Sequence, residues 1–179
     1  MGKVELAIKK NIEVVKNFPI KGVNFQDIFS ITKKPLVFKM IIQEIIKVIK
    51  KHKVTKLVGI ESRGFLFGVA ASYKADIPFI PIRKSGKLPG KVSKIKYKLE
   101  YGHDIVEIQS SSIKKSDKIL LIDDLIATGG TAVASIKLLR KFNSKKIISF
   151  FVIDLENLKG SSQLKKQRVE VISLYKTQG

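Results

Sequence analysis

The chain contains no cysteine, which excludes a disulfide scaffold, an iron–sulfur cluster, a cysteine-based zinc site and a cysteine nucleophile. Histidine is nearly as scarce. With only His52 and His103, a paired-histidine zinc motif cannot form, and both read as surface residues. Long apolar runs are missing too. The longest nearly unbroken one, Gly64 to Ala71, is far too short to span a bilayer, so no membrane partner is expected. The opening Met1-Gly2-Lys3-Val4-Glu5 lacks the apolar segment of a signal peptide, which predicts a cytoplasmic protein. Arginine is the fourth scarcity. The 35 basic residues against 15 acidic give a net charge of +20, yet the only arginines are Arg63, Arg83, Arg140 and Arg168. Lysine neither reads base edges in bidentate fashion nor stacks on bases as arginine does. The excess therefore reads as a solvated lysine surface that attracts anionic substrates, with no specific nucleic-acid partner.

What is present fits a globular protein. At 179 residues and 44% apolar content, one domain with a real core is expected. Val4, Ile8, Ile12 and Val15 follow the period of one helix face over residues 3–16. A second helix is expected from Pro35, with Val37, Ile41, Ile45, Val48 and Ile49 inward. From residue 55 the pattern alternates. Leu57 to Ile60 reads as a strand, Phe65 to Tyr73 as a helix, and Phe79 to Ile82 as a strand whose Pro81 implies an edge or a bulge. Residues 84–95 have no period and read as a long mobile loop, a type that is usually functional. Two strands are expected near 96–101 and 104–109, turning at Gly102. Ile119 to Ile122 reads as a buried strand, 123–131 as a loop and Ala132 to Phe142 as a helix. Further strands are expected at Ile147 to Ile153 and Val169 to Tyr175. Continuous apolar strands alternating with helices predict an α/β fold, a mostly parallel sheet flanked by helices. No internal repeat or linker divides it, so residues 1–179 form one domain: a small N-terminal hood (1–34) on a core (35–179).

The sharpest segment is Ile119-Leu120-Leu121-Ile122-Asp123-Asp124-Leu125-Ile126-Ala127-Thr128-Gly129-Gly130-Thr131. A buried strand carries two adjacent carboxylates to the carboxyl edge of the sheet, where open α/β sheets bind ligands. Glycines then open a helix, letting backbone N–H groups approach an anion at the positive end of the helix dipole. Carboxylates for ribose hydroxyls beside a cradle for phosphate suit a phosphorylated sugar. A plain Gly-rich turn with Thr as N-cap explains less of the segment. Competing phosphate and nucleophile motifs are absent: there is no GxxxxGK[ST], no GxGxxG and no GxSxG.

This segment resembles the phosphoribosyl-diphosphate (PRPP) motif of type I phosphoribosyltransferases. Three further motifs follow that family's order: Glu61-Ser62-Arg63-Gly64-Phe65-Leu66-Phe67-Gly68, Arg83-Lys84-Ser85-Gly86-Lys87-Leu88-Pro89-Gly90 and Tyr97-Lys98-Leu99-Glu100-Tyr101-Gly102. Together with Phe18 to Ile28, which resembles a base-binding hood, they are similar to the adenine-specific members of the family over roughly residues 12 to 175.

The resemblance implies the type I phosphoribosyltransferase fold and transfer of the 5-phosphoribosyl group from PRPP to adenine, giving AMP and diphosphate in purine salvage. Ala127, Thr128, Gly129, Gly130 and Thr131 would hold the 5′-phosphate, and Asp123 and Asp124 the ribose hydroxyls. Mg2+ would ride on PRPP, with any contact to these acids through water. The resemblance assigns catalysis to Glu100 and Arg63. Glu100 would exchange a proton with the base, and Arg63, Arg83, Lys84 and Lys87 would bind the diphosphate. A cis peptide at Glu61-Ser62, costing about 3 kcal/mol, is a further family feature. Read without the resemblance, Arg63 is a surface partner of Glu61. Adenine would lie between Phe25 and Leu125 and be read by the backbone of Val23, Asn24, Phe25 and Gln26, although Phe25 and Leu125 serve equally as core residues. The chain departs from the common family pattern at Asn24 and Gln26, which a backbone readout tolerates. The resemblance also implies a homodimer. Hypoxanthine, guanine, xanthine or orotate as the base, and a non-catalytic PRPP-binding regulator, are the competing readings.

Overall fold

The helical spacing of Val4 and Ile8 produces helix α1 (Lys3–Asn11), with Ile8 fully buried. The computed structural model describes residues 2–98 and 102–178. Contrary to the helical period, α1 stops before Ile12. Strand β1 (Glu13–Lys16) pairs antiparallel with β2 (Asn24–Asp27), Val15 opposite Phe25. The adjacent β-branched Val14 and Val15 favour extended chain, and Ser30 Oγ accepts the Glu13 N–H at 2.9 Å. Helix α2 (Ile28–Thr32) follows directly, capped by the Asp27 carboxylate, which accepts from Phe29 N–H. Helix α3 (Pro35–His52) begins at the expected proline, buries Val37, Ile41, Ile45 and Ile49, and carries Lys50 and Lys51 in its last turn, cations that suit the helix dipole.

The rest of the chain is strand–helix alternation: β3 (Lys56–Ile60), α4 (Gly64–Ala75), β4 (Phe79–Lys84), β5 (Val92–Lys98), β6 (His103–Gln109), β7 (Lys118–Ile126), α5 (Gly130–Arg140), β8 (Lys146–Leu155), α6 (Gly160–Lys166) and β9 (Glu170–Thr177). Seven strands form one sheet in the order β5-β6-β4-β3-β7-β8-β9. From β4 to β9 neighbouring strands in that order are parallel, and β6 is antiparallel to both β4 and β5. Alternate side chains serve the two faces. Leu57, Leu120, Ile122 and Phe150 pack with Ile8, Ile28, Ile31, Ile41 and Phe67. Val58, Ile119, Leu121 and Phe151 pack with Ile136, Leu139 and Leu164. The expected mostly parallel α/β sheet, covered on both faces, is what forms.

Several boundaries depart from expectation, each for a tertiary reason. Strand β5 begins at Val92 because Val92 pairs with Gln109, so the loop spans only 85–91. Strand β7 runs through both acids to Ile126, because Asp123 and Leu125 stay in register with Phe151 and Ile153 of β8. Pro81 is tolerated because β4 pairs with β3 at 79–82 but with β6 only at Arg83 and Lys84. Helix α6 follows no strong apolar period and was not expected. No helix among the described residues is long and apolar enough to cross a membrane.

Candidate active site

Gly129, at φ 84°, turns the chain from β7 into α5, a conformation that favours glycine. The first N–H groups of α5 have no partner within the helix, which leaves them for an anion. A cavity of about 160 Å³, lined by Asp123 and residues 125–132, lies over this turn. The turn is buttressed from below. Gly160 donates its N–H to the Ala127 carbonyl at 3.0 Å, and a Cβ on Gly160 would strike the 127–129 backbone.

Asp123 and Asp124 stand at the end of β7, and Ser62 joins them to the loop after β3. Its hydroxyl donates to Asp123 Oδ1 and lies 3.3 Å from Asp124 Oδ1, while the Gly64 N–H donates to Ser62 Oγ at 2.9 Å. Burial, and then the neighbouring Asp124 charge, push the Asp123 carboxyl well above the usual carboxylate range. The expected cis peptide at Glu61-Ser62 is not found. Among the described residues only Phe18-Pro19 is cis, and the loop makes its Ser62 and Gly64 contacts with an ordinary trans bond. Nor does Arg63 pair with Glu61. Its Nη2 lies 2.9 Å from Asp124 Oδ2, because Glu61 is already taken by other cations.

Those cations are Arg83 and Lys87. Glu61 accepts from Arg83 Nη2 at 3.0 Å, Lys87 Nζ at 2.7 Å and the Lys84 N–H at 2.9 Å. Burial alone would raise its pKa, but the bonds from Lys87, Lys84 and Arg83 outweigh it and hold the group at about 2, against an ordinary 4.5. Arg83 Nη1 also donates to the Lys87 carbonyl, and Glu107 Oε1 accepts the Lys87 N–H at 3.1 Å. The loop expected to be mobile is thus pinned by two glutamates. Because the Glu61 pKa is depressed on folding, its contribution is complete above about pH 4.5 and fades as pH falls toward 2. Amide exchange across 85–91 should speed up over that window. At pH 8, Glu61→Gln should make trypsin cut after Lys84 or Lys87 several-fold faster, and equal cleavage of both proteins would show that Glu61 does not hold the loop.

A second cavity, of about 280 Å³, brings together Glu61, Ser62, Arg83, Lys84, Asp123 and Thr131, with Tyr97 on its wall. It shares Asp123 and Thr131 with the first, so the strand-end acid lies between cradle and cations. Arg83 Nε is buried with no partner among the described residues, a donor available to an anion. Arg63 lies outside this cavity. It reaches toward the N-terminal ribbon, its guanidinium 6.0 Å from the Phe25 ring centroid. Phe25 packs edge-on against Phe18 at 5.2 Å. Val23 is exposed, Gln26 is buried, Asn24 lies on β2, and Leu125 lines the first cavity. Arg63 therefore joins the expected base-binding segment to the strand-end acids. Glu100 falls outside the described residues. Sequence reasoning missed Glu61 and Glu107 as loop anchors, Tyr97 and Asp104 near Thr131, and Gly160 beneath the cradle. Glu61 and Tyr97 stood within recognised motifs, whereas Asp104, Glu107 and Gly160 carried no local signal.

The comparisons agree with this geometry. Residues 30–177 match the phosphoribosyl transferase domain. The chain is 43% identical to the adenine phosphoribosyltransferase of Nitrosomonas eutropha, over 94% of its own length and 97% of the relative's. It is 42% identical to that of Methanococcus maripaludis, over 94% and 98%. Among solved structures, Giardia lamblia APRTase complexed with 9-deazaadenine superposes with a TM-score of 0.91 at 32% identity, covering 99% of each chain. The Saccharomyces cerevisiae adenine phosphoribosyltransferase, complexed with an imino-altritol bisphosphate and adenine, gives 0.89 at 34%, over 97% and 99%. With a strand-end acid pair and a glycine turn at the head of a helix, this chain belongs to the phosphoribosyltransferase family.

Proposed function

We propose that the protein transfers the 5-phosphoribosyl group of PRPP to adenine, giving AMP and diphosphate. The observation that carries this reading is the pair of joined cavities: a phosphate cradle on one side of Asp123 and a cluster of cations on the other. That layout matches a ribose carrying a phosphate at one end and a diphosphate at the other. The full-length similarity to adenine phosphoribosyltransferases supports adenine as the base.

In this reading Ala127 to Thr131 bind the 5′-phosphate, and Asp123 and Asp124 accept from the ribose hydroxyls. Arg83 and Lys87 exchange Glu61 for the diphosphate, Lys84 adds its charge beside them while paired with Asp104, and Arg63 leaves Asp124 to join them. The base stacks on Phe25, packed from the other side by Leu125, with the backbone of Val23 to Gln26 reading its edge. N9 attacks C1′ as the C1′–O bond to diphosphate breaks, and the N7 proton passes to Glu100. Among the described residues no cluster of three metal-ligating side chains forms. A Mg2+ would be carried by PRPP oxygens and water, with any contact to Asp123 or Asp124 through water, and would neutralise the diphosphate charge. Residues 1–34 serve as the hood over the base.

We further infer a cytoplasmic homodimer. The exposed Leu66, Val69 and Tyr73 on α4 support an interface between copies, and sedimentation giving a monomer's mass would remove it. The test of function is to incubate the protein with Mg2+-PRPP and each purine base in turn. AMP from adenine is expected. No nucleotide from any base would overturn the enzyme reading, and IMP or GMP in place of AMP would overturn the choice of base.

A further inference from the structure

Tyr97 stands on β5, half-buried, on the wall of the cavity that holds Arg83, Asp123 and Thr131. Its phenol oxygen lies 3.0 Å from Thr131 Oγ1 and 3.4 Å from Asp104 Oδ2. Asp104 is Tyr97's register partner across the hairpin, and its other neighbour is Lys84 Nζ at 3.3 Å. This chain of polar groups runs from the second cavity into the first, because Thr131 lines both.

The direction of the hydrogen bonds follows from counting protons. A hydroxyl carries one proton and can accept through its lone pairs. A phosphate dianion only accepts, so Thr131 must donate to it. Thr131 can then only accept from Tyr97, and Tyr97 must donate. The one group able to divert the phenol proton is Asp104. It is the more distant acceptor, and Lys84 and the Ile105 N–H already engage it. Burial raises the Tyr97 pKa, so the phenol keeps its proton.

We propose that Tyr97 is a positioning residue for the 5′-phosphate: its phenol donates to Thr131 Oγ1 and so aims the single Thr131 proton into the cradle. The proposal rests on the assignment of residues 127–131 to that phosphate. It also gives β5 a part in PRPP recognition that none of its residues was expected to have.

Tyr97→Phe removes the donor and keeps the ring. It should weaken AMP binding and raise the KM for PRPP by about threefold to tenfold, the range of one neutral hydrogen bond. Turnover at saturation should be unchanged. Adenosine, which lacks the phosphate, should bind Tyr97→Phe and the parent alike. In a Thr131→Val background the Tyr97→Phe change should add nothing, because the group it orients is gone. Calorimetry with AMP and adenosine on the parent, both single variants and the double variant reads all of this. Equal loss of AMP and adenosine binding, or additive losses in the double variant, would make Tyr97 a packing residue and overturn the proposal. So would normal AMP binding by Tyr97→Phe when Thr131→Val binds weakly, and in that case the cradle assignment would stand. Normal AMP binding by Thr131→Val would overturn the assignment of Thr131 to the phosphate, and the proposal with it.

Discussion

Replacing Glu100 by Gln should lower the turnover of adenine by about 10²- to 10⁴-fold, the usual worth of general acid–base help. That is roughly 3–5 kcal/mol of barrier. N9 must attack with a free lone pair, so the imidazole proton of adenine rides on N7 and needs an acceptor as the N9–C1′ bond forms. Gln keeps the size of the side chain and cannot take that proton. PRPP affinity should change little, since Glu100 is not assigned to it. Steady-state turnover and PRPP binding, measured on one preparation, separate the outcomes. Near-normal turnover would remove Glu100 from the chemistry, and a large loss of PRPP affinity would move it to substrate binding.

The second large effect is expected at Gly64, where α4 begins. A Cβ there would lie 2.6 Å from Asp123 Oδ1 and 2.7 Å from Asp123 Cα. The second of these is backbone within the sheet and cannot swing aside. Gly64→Ala must therefore push α4 away from β7, break the Gly64 N–H to Ser62 link and turn the Asp123 carboxylate. Overpacking of this kind costs about 1–3 kcal/mol of stability. A displacement of about 1 Å at the strand-end acids can cost about 10²-fold in rate. Thermal unfolding and kcat/KM for PRPP would register both, with Gly2→Ala, which meets nothing within 4 Å, as the control. Parent-like stability and rate in Gly64→Ala would show that the close approach does not position Asp123.

The parts of this molecule that sequence alone reveals are those fixed by local chemistry. Apolar runs such as Leu57 to Ile60 and Ile119 to Ile122 bury themselves wherever the chain goes, and Pro35 can start a helix but not continue one. The acid pair and the glycine turn were readable because their order along the chain is their order in space. Illegible features depend on distant partners. Val15 keeps a helical period yet pairs with Phe25 as a strand. Residues 85–91 look free because the glutamates that pin them come from elsewhere, Glu61 from the loop after β3 and Glu107 from β6. Arg63 sits beside Glu61 in sequence and binds Asp124 instead, since Glu61 is saturated by cations more than twenty positions away. Gly160 carries no motif, and only the fold shows that it presses against Ala127.

The attachment of the β5–β6 hairpin has a mechanical meaning. Strand β6 meets β4 at just two residue pairs, Arg83 with Glu107 and Lys84 with Val106, whereas β7 and β8 share eight. The sheet is thus continuous in its hydrogen bonding but narrow at one waist. Beyond that waist the hairpin is steadied by side chains: Tyr97 on Thr131, Lys141 Nζ on the Lys94 carbonyl at 2.9 Å, and Ile95 against the core. The joint is reinforced by the Ser85 N–H, which donates to the Ile105 carbonyl at 3.1 Å, and by Val106 and Ile108 of β6, buried in the core. It is formed by the same two residues, Arg83 and Lys84, that line the cavity. The backbone that ties the hairpin to the sheet is thus also the backbone that carries two of the site's cations.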